Sequence, residues 1–246
     1  MNNNRLTTQE YWQQDSEATA FQKHEVGHSL NLFIEKYIPK TLTGSVLEIG
    51  SYPGPFLCTF GDLGYTLNGI DFNTDNDSGL PNWLSKQGYK VEDFFVCDFF
   101  SYSSEKKFDV VCSFGFIEHF INYEEVILRH ADYVKKGGYL MITTPNFRGF
   151  AQKKLHEIFD SKNLAIHNLE SMQPTVWAET LQKYGFEILY HGHFGGFWFW
   201  RGSENLTFFR RNILWLVVRI IPRLRPLLKF DHSSFSAYCG IVARKI

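Results

Sequence analysis

The sequence predicts an α/β protein built on a doubly wound, largely parallel sheet, and three observations predict it. From Ser45 to Asp71 the chain reads SVLEIGSYPGPFLCTFGDLGYTLNGID: an apolar strand, a glycine turn, a helix and a second strand ending on an acid. Strand and helix patterns then alternate as far as Pro145. The length, 246 residues, suits one such domain with additions.

The elements follow in order. Over 8–40, Tyr11, Trp12, Phe21, Leu30, Phe33, Ile34 and Tyr37 recur at helical spacing and predict two helices, closed by Pro39 and Gly44. Val46, Leu47 and Ile49 make a buried strand, and a second strand ends on Asp71. The run NTDNDSGLPN is a loop leading into a short helix over 81–87, and VEDFFVCDFF is a strand ending near Asp98. FDVVCSF, 108–114, is a fully buried strand. A helix over 123–134 keeps Val126, Ile127, Ala131 and Val134 on one face and stops at Lys135, Lys136, Gly137 and Gly138. A strand over 139–143 is closed by Pro145, after which the pattern becomes less regular. Beyond it a helix over 177–184 and strands over 186–190 and 236–243 are expected, separated by an aromatic tract and a basic apolar segment.

Composition removes several function classes. Lys plus Arg number 25 against 26 Asp plus Glu, a net charge of −1, so there is no global basic field and nucleic acid is not an expected partner. Cys58, Cys97, Cys112 and Cys239 form no CxxC pair, which argues against cysteine zinc and a disulfide framework. The polar start MNNNRLTTQEYWQQD lacks a signal peptide's apolar stretch, which points to a reducing cytoplasm. No segment supplies the ~20 apolar residues of a membrane span.

Gly50 and Gly54 let backbone approach a ligand at the N-terminus of the following helix, and Asp71, 21 residues beyond Gly50, is placed to accept from ribose hydroxyls. A dinucleotide fingerprint needs further glycines where Tyr52 and Pro55 stand, which disfavours NAD and FAD. With Glu48, Gly50 and Gly54 the stretch resembles the first motif, E/D-x-G-x-G-x-G, of class I S-adenosylmethionine-dependent methyltransferases; Tyr52 replaces the middle glycine. That resemblance covers about 43–145 and implies a Rossmann-like seven-stranded sheet with its last strand antiparallel. It further implies one domain: an N-terminal helical lid (1–42), a cofactor-binding core (43–145), and acceptor-side elements with a C-terminal helical insertion and the final strands (146–246).

The resemblance also implies roles. Gly50, Ser51, Tyr52 and Gly54, behind Glu48, would meet the methionine portion of S-adenosyl-L-methionine. Asp71 with Phe72 would meet the ribose, and Asp98 with Phe99 the adenine, while Ser113 and Phe114 complete the cofactor set. SFGFIEHF (113–120) resembles the end of the fourth strand in small-molecule methyltransferases, placing Glu118 and His119 near the transferred methyl. A neutral imidazole with a pKa near 6.5 suits removal of a hydroxyl proton, so His119 is the first candidate base and His167 the second. Tyr11, Trp12, His24 and His28 are placed by position as acceptor contacts.

His24 to His28 also reads HEVGH, matching H-E-x-x-H of zinc peptidases. Asn31 and Ile34 break the metzincin extension, and neither Glu35 nor Glu48 makes a convincing third ligand, so no metal ligand set is assigned. A non-catalytic nucleoside-binding module, its glycine loop altered by Tyr52, is the other alternative. Over 210–229 arginines and lysines interleave with Ile213, Leu214, Leu216, Val217, Val218, Ile220 and Ile221. This basic amphipathic pattern fits a peripheral membrane contact, or a helix packed on the sheet or on a partner. The expected acceptor is a small molecule, a sugar or a lipid-linked intermediate.

Overall fold

Two helices precede the sheet, α1 (Gln9–Ser16) and α2 (Ser29–Tyr37), the latter burying Leu30, Phe33 and Ile34. Then come β1 (Ser45–Ile49), α3 (Pro55–Asp62), β2 (Thr66–Asp71), α4 (Gly79–Lys86), β3 (Val91–Val96), β4 (Phe108–Phe114), α5 (Tyr123–Asp132) and β5 (Val134–Pro145). Helices α6 (Phe150–Phe159), α7 (Ser161–Ala165) and α8 (Pro174–Lys183) lead to β6 (Phe186–Phe197) and β7 (Ser236–Lys245). The computed structural model describes residues 5–16, 21–200, 207, 208, 210–215, 219 and 230–246. Most of the basic amphipathic segment therefore lies outside the described residues. Among these, no helix is long and apolar enough to cross a membrane.

The seven strands run in the order β3-β2-β1-β4-β5-β7-β6. β1 pairs in parallel with β2 on one side and β4 on the other, and β7 is antiparallel to both β5 and β6. Val46, Leu47, Val110, Val111 and Cys112 are all fully buried, because helices cover both faces of a parallel sheet. One apolar cluster gathers Leu47, Val111, Leu140 and Trp177, and another Val46, Val110, Met141 and Phe33. From β1 the chain winds outward to β2 and β3, then returns to continue at β4. The β1/β4 boundary is thus the switch point at which the carboxyl ends of the strands open a crevice.

Four expected elements differ. Lys135 to Gly138 do not cap α5; they begin β5, with Val134 already paired to Phe108 and Lys135 bonded to Asp109 at 2.8 Å. The strand expected to end near Asp98 stops two residues earlier, at Val96, and Asp98 itself starts a turn. The less regular stretch after Pro145 holds α6 and α7. Finally, β6 extends beyond Tyr190 through a register shift between Phe194 and Phe197, where Gly195 and Gly196 take positive φ.

Candidate active site at the sheet switch point

Two cavities meet above the carboxyl ends of β1 and β4. The first, about 230 Å³, is walled by Gly50, Tyr52, Asp71, Phe72, Phe99 and Phe116 among others. The second, about 460 Å³, is an aromatic and histidine-rich chamber that includes Tyr11, Trp12, His24, His28, Glu118 and His167. Trp12, Phe114, Gly115 and His119 line both. The four expected acceptor contacts and both candidate bases therefore face one chamber.

Asp71 ends β2 with its carboxylate turned into the turn after β1. Oδ2 accepts from the Tyr52 backbone N–H (3.1 Å) and Oδ1 from that of Asn73 (2.8 Å). The Phe72 backbone N–H also bonds this carboxylate, which still has acceptor capacity for a ligand hydroxyl. Burial pushes its pKa up to about 6, opposed by those backbone donors. The turn manages without its middle glycine because positive φ falls on Gly50 (76°) and Gly54 (84°), while Tyr52 sends its ring to the cavity wall and against Phe21, centroids 5.6 Å apart. A side chain at Gly50 would bring its Cβ to 3.0 Å from the Phe116 ring. Bare backbone at the wall and an acid with spare acceptor capacity fit a nucleoside ligand.

Other motif residues do not reach the wall. Glu48 is buried behind the turn, its Oε2 without a hydrogen bond and its pKa raised well above the ordinary value by burial and by Asp71. Ser51 donates to Asn76 Oδ1 at 2.7 Å. Gly54 precedes α3, where a Cβ would meet Leu80 at 2.5 Å. Ser113 is buried within β4. Asp98, expected at the adenine, instead engages Arg5 Nη2 at 3.0 Å and the Phe100 backbone N–H at 2.8 Å, leaving Cys97 and Phe99 on the wall. The nucleotide-loop residues thus divide into some that line the cavity and others that hold the lining.

Arg5 is the principal lining residue that the sequence did not suggest. It bridges to Phe120 across an isolated antiparallel pair, and its guanidinium lies 4.4 Å from the Phe72 ring centroid. Leu6 N–H donates to the His119 carbonyl at 2.8 Å. Phe147 and Tyr238 in the second cavity were likewise not foreseen, whereas Trp198 and Trp200 belong to the aromatic tract.

His119 sits at the junction, 4% exposed. Its Nδ1 lies 3.0 Å from the Ile166 carbonyl; a carbonyl can only accept, so Nδ1 carries the proton and Nε2 of the neutral ring is an acceptor. His167 repeats this with the Asn163 carbonyl at 2.7 Å, and the two rings are 4.7 Å apart. Burial and the neighbouring His167 pull the His119 pKa down to about 3, not the value near 6.5 expected of a free imidazole. His167 is lowered to about 4, chiefly by burial. Glu118, 1% exposed, is raised by burial to about 8.

The HEVGH match loses its structural basis: residues 24–27 are not helical, and His28 precedes α2, its Nδ1 accepting from Leu30 N–H at 3.4 Å. The His24 and His28 rings stack in parallel, 4.0 Å apart. They form a wall of the second cavity in place of a zinc-binding helical turn.

A family model described as a methyltransferase domain matches residues 19–191. The chain belongs to that family. S-adenosylmethionine-dependent methyl transfer, the reaction class expected from the sequence, follows from the membership. No curated protein matches the chain. Solved structures share the fold. A candidate methyltransferase from Bacillus halodurans C-125 aligns over 87% of this chain and 98% of its own at 16% identity, TM-score 0.59. An S-adenosylmethionine-dependent methyltransferase from Archaeoglobus fulgidus aligns over 88% and 93% at 19% identity, TM-score 0.55. The phosphoethanolamine N-methyltransferase 2 of Haemonchus contortus, solved with S-adenosyl-L-methionine, aligns over 88% of this chain and 52% of its own at 20% identity, TM-score 0.54.

Proposed function

We propose that the first cavity holds S-adenosylmethionine and that the second holds the methyl acceptor, a hydroxyl-bearing small molecule, sugar or lipid-linked intermediate. The observation that carries this reading is His119: it lines both cavities and presents an unprotonated Nε2. S-adenosylmethionine supplies an electrophilic methyl on a sulfonium. The chain's residues must then orient the two reactants and take charge of one proton.

Asp71 and the backbone of Gly50 and Tyr52 anchor the cofactor's sugar and amino-acid ends. Aromatic side chains on both sides exclude water. With its pKa lowered to about 3, the His119 ring is neutral at neutral pH and its Nε2 is free to accept a proton. A base with a pKa of about 3 is weak towards a free hydroxyl. It suffices here because the oxygen becomes strongly acidic as it gains the methyl, so Nε2 accepts the proton late in the transfer. The residues before the sheet act as a lid, with Arg5 as its clasp on Asp98.

Methyl transfer to hydroxyl acceptors, measured alongside calorimetric S-adenosylmethionine binding, tests the reading. His119→Ala is expected to leave cofactor affinity within about twofold while turnover falls by about 10²–10⁴. Turnover that survives the substitution removes the base; absence of cofactor binding in the folded wild type removes the whole reading.

A further inference from the structure

We infer that Glu118, His119 and His167 form a binding site for one divalent transition-metal ion, of the zinc class, where the two cavities meet. One ligand atom from each lies within 4.8 Å of the other two, the one grouping of this kind among the described residues. Ligand atoms around a single tetrahedral ion, bound at about 2.0–2.2 Å, sit roughly 3.4 Å apart. Side-chain shifts of about 1 Å close the set.

Two further observations point to a ligand. The Glu118 carboxyl is buried, and neither of its oxygens has a hydrogen-bond partner on another residue. A carboxyl so placed forfeits its solvation with only its own backbone N–H to offset the loss, and a bound cation would supply what is missing. Its backbone is meanwhile pinned, the Asn168 N–H donating to the Glu118 carbonyl at 2.7 Å. The second observation is the pairing of both imidazoles with backbone carbonyls, Ile166 for His119 and Asn163 for His167. Metal-binding histidines use this arrangement to fix ring orientation and direct the other nitrogen at the ion. His130 shows that the carbonyl bond alone is not the signal: its Nδ1 bonds the Val126 carbonyl at 2.7 Å, yet it belongs to no such grouping.

Two histidines and one carboxylate leave at least one coordination position open. Here it would take an acceptor oxygen. The inference rests on the proposed function only in identifying the second cavity as the acceptor's: with the ion bound, Nε2 of His119 is a ligand, and with the site empty it is the proton acceptor.

The test is titration of the chelator-stripped full chain with Zn²⁺, followed by calorimetry and by the visible spectrum of the Co²⁺ form. One ion per chain is expected. Glu118→Gln and His167→Ala should each weaken binding by at least about tenfold, whereas the exposed His191→Ala should not. Circular dichroism confirms folding, and the isosteric Glu118→Gln serves if His167→Ala fails to fold. No saturable binding at one equivalent, or binding indifferent to Glu118→Gln and His167→Ala, overturns the site. Because the readout is the metal itself, that result leaves methyl transfer to be judged separately by cofactor binding and His119→Ala turnover.

Discussion

Asp71 offers the sharpest test of how the cofactor is held, because its protonation should govern affinity. The carboxylate accepts from the backbone N–H groups of Tyr52, Asn73 and Phe72, and its remaining acceptor capacity is available to ribose hydroxyls. Those bonds require the ionised form, and burial has raised the pKa to about 6. If only that form binds, affinity falls by the factor 1 + 10^(6−pH), about tenfold at pH 5 relative to pH 8. The fold responds in the opposite sense. A pKa raised on folding means that Asp71's contribution to stability is fully present below about pH 4 and is lost as pH rises through about 6, so weaker binding at pH 5 cannot be blamed on this group unfolding the protein. Removing the carboxylate outright forfeits two charge-assisted bonds, at about 1.5–3 kcal/mol each, so Asp71→Ala should weaken binding at pH 8 by about 100-fold or more. Calorimetric titration with S-adenosylhomocysteine at pH 5, 6, 7 and 8 reads both effects. Asp71→Asn should bind weakly and with no inflection near pH 6. An Asp71→Asn profile parallel to the wild type would refute the assignment of the titrating group.

Other substitutions probe the supports of the site. Arg5→Ala removes the partly buried pair with Asp98 and the cation over Phe72, and stopped-flow measurement should show cofactor release accelerated by about 5–30-fold; an unchanged release rate would mean that the N-terminal clasp does not retain the ligand. Arg129 donates to the carbonyls of Phe99, Phe100 and Tyr102 at 2.7–3.1 Å, so Arg129→Ala should cost about 3 kcal/mol or more in urea unfolding and weaken cofactor binding together; a stability loss under about 1 kcal/mol would contradict this. Gly54→Ala forces a side chain into φ +84° and against Leu80, and thermal melting should fall by about 5–10 °C. An unaltered melting temperature there would show that the turn relaxes freely.

What could be read from the sequence depended on how local the physics was. β1 and β4 are buried on both faces, so their mostly apolar runs announced them, and the ends of β1, β2 and β4 announced Tyr52, Asp71 and Phe114. α6 was hidden because its buried face includes Gln152 and His156 as well as Phe159. Their partners are of two kinds: Gln152 Nε2 donates to the distant Trp198 and Phe235 carbonyls, and His156 Nδ1 pairs with Asp160 one turn on. A stripe whose buried members are polar has no hydrophobic period to detect. Lys135 to Gly138 misled for the converse reason, since a basic pair followed by two glycines is the local signature of a helix end, and only pairing with β4 makes it a strand.

The same distinction separates the motif residues that touch the cavity from those that do not. A glycine-loop pattern marks where backbone must turn sharply; it does not state which side chains face the ligand. Glu48, Ser51 and Gly54 satisfy the pattern by holding the loop against Asn76, Leu80 and the sheet, and Tyr52 replaces a glycine without loss of the turn because positive φ falls on its neighbours. The junction itself is a long-range construction. His119 and His167 are separated by 48 residues, and what joins them is Asn168, whose backbone N–H bonds the Glu118 carbonyl and whose Nδ2 bonds the Phe120 carbonyl at 2.9 Å. An asparagine spanning the Ile117–His119 turn in this way stitches the segment before α8 onto the end of β4, bringing two imidazoles and a buried carboxyl to one point. Losing that clamp should separate His167 from His119 while leaving Asp71 and the nucleoside end intact. Asn168→Ala is therefore expected to reduce turnover with little change in cofactor affinity, and equal losses in both would place Asn168 in the general scaffold instead of the junction.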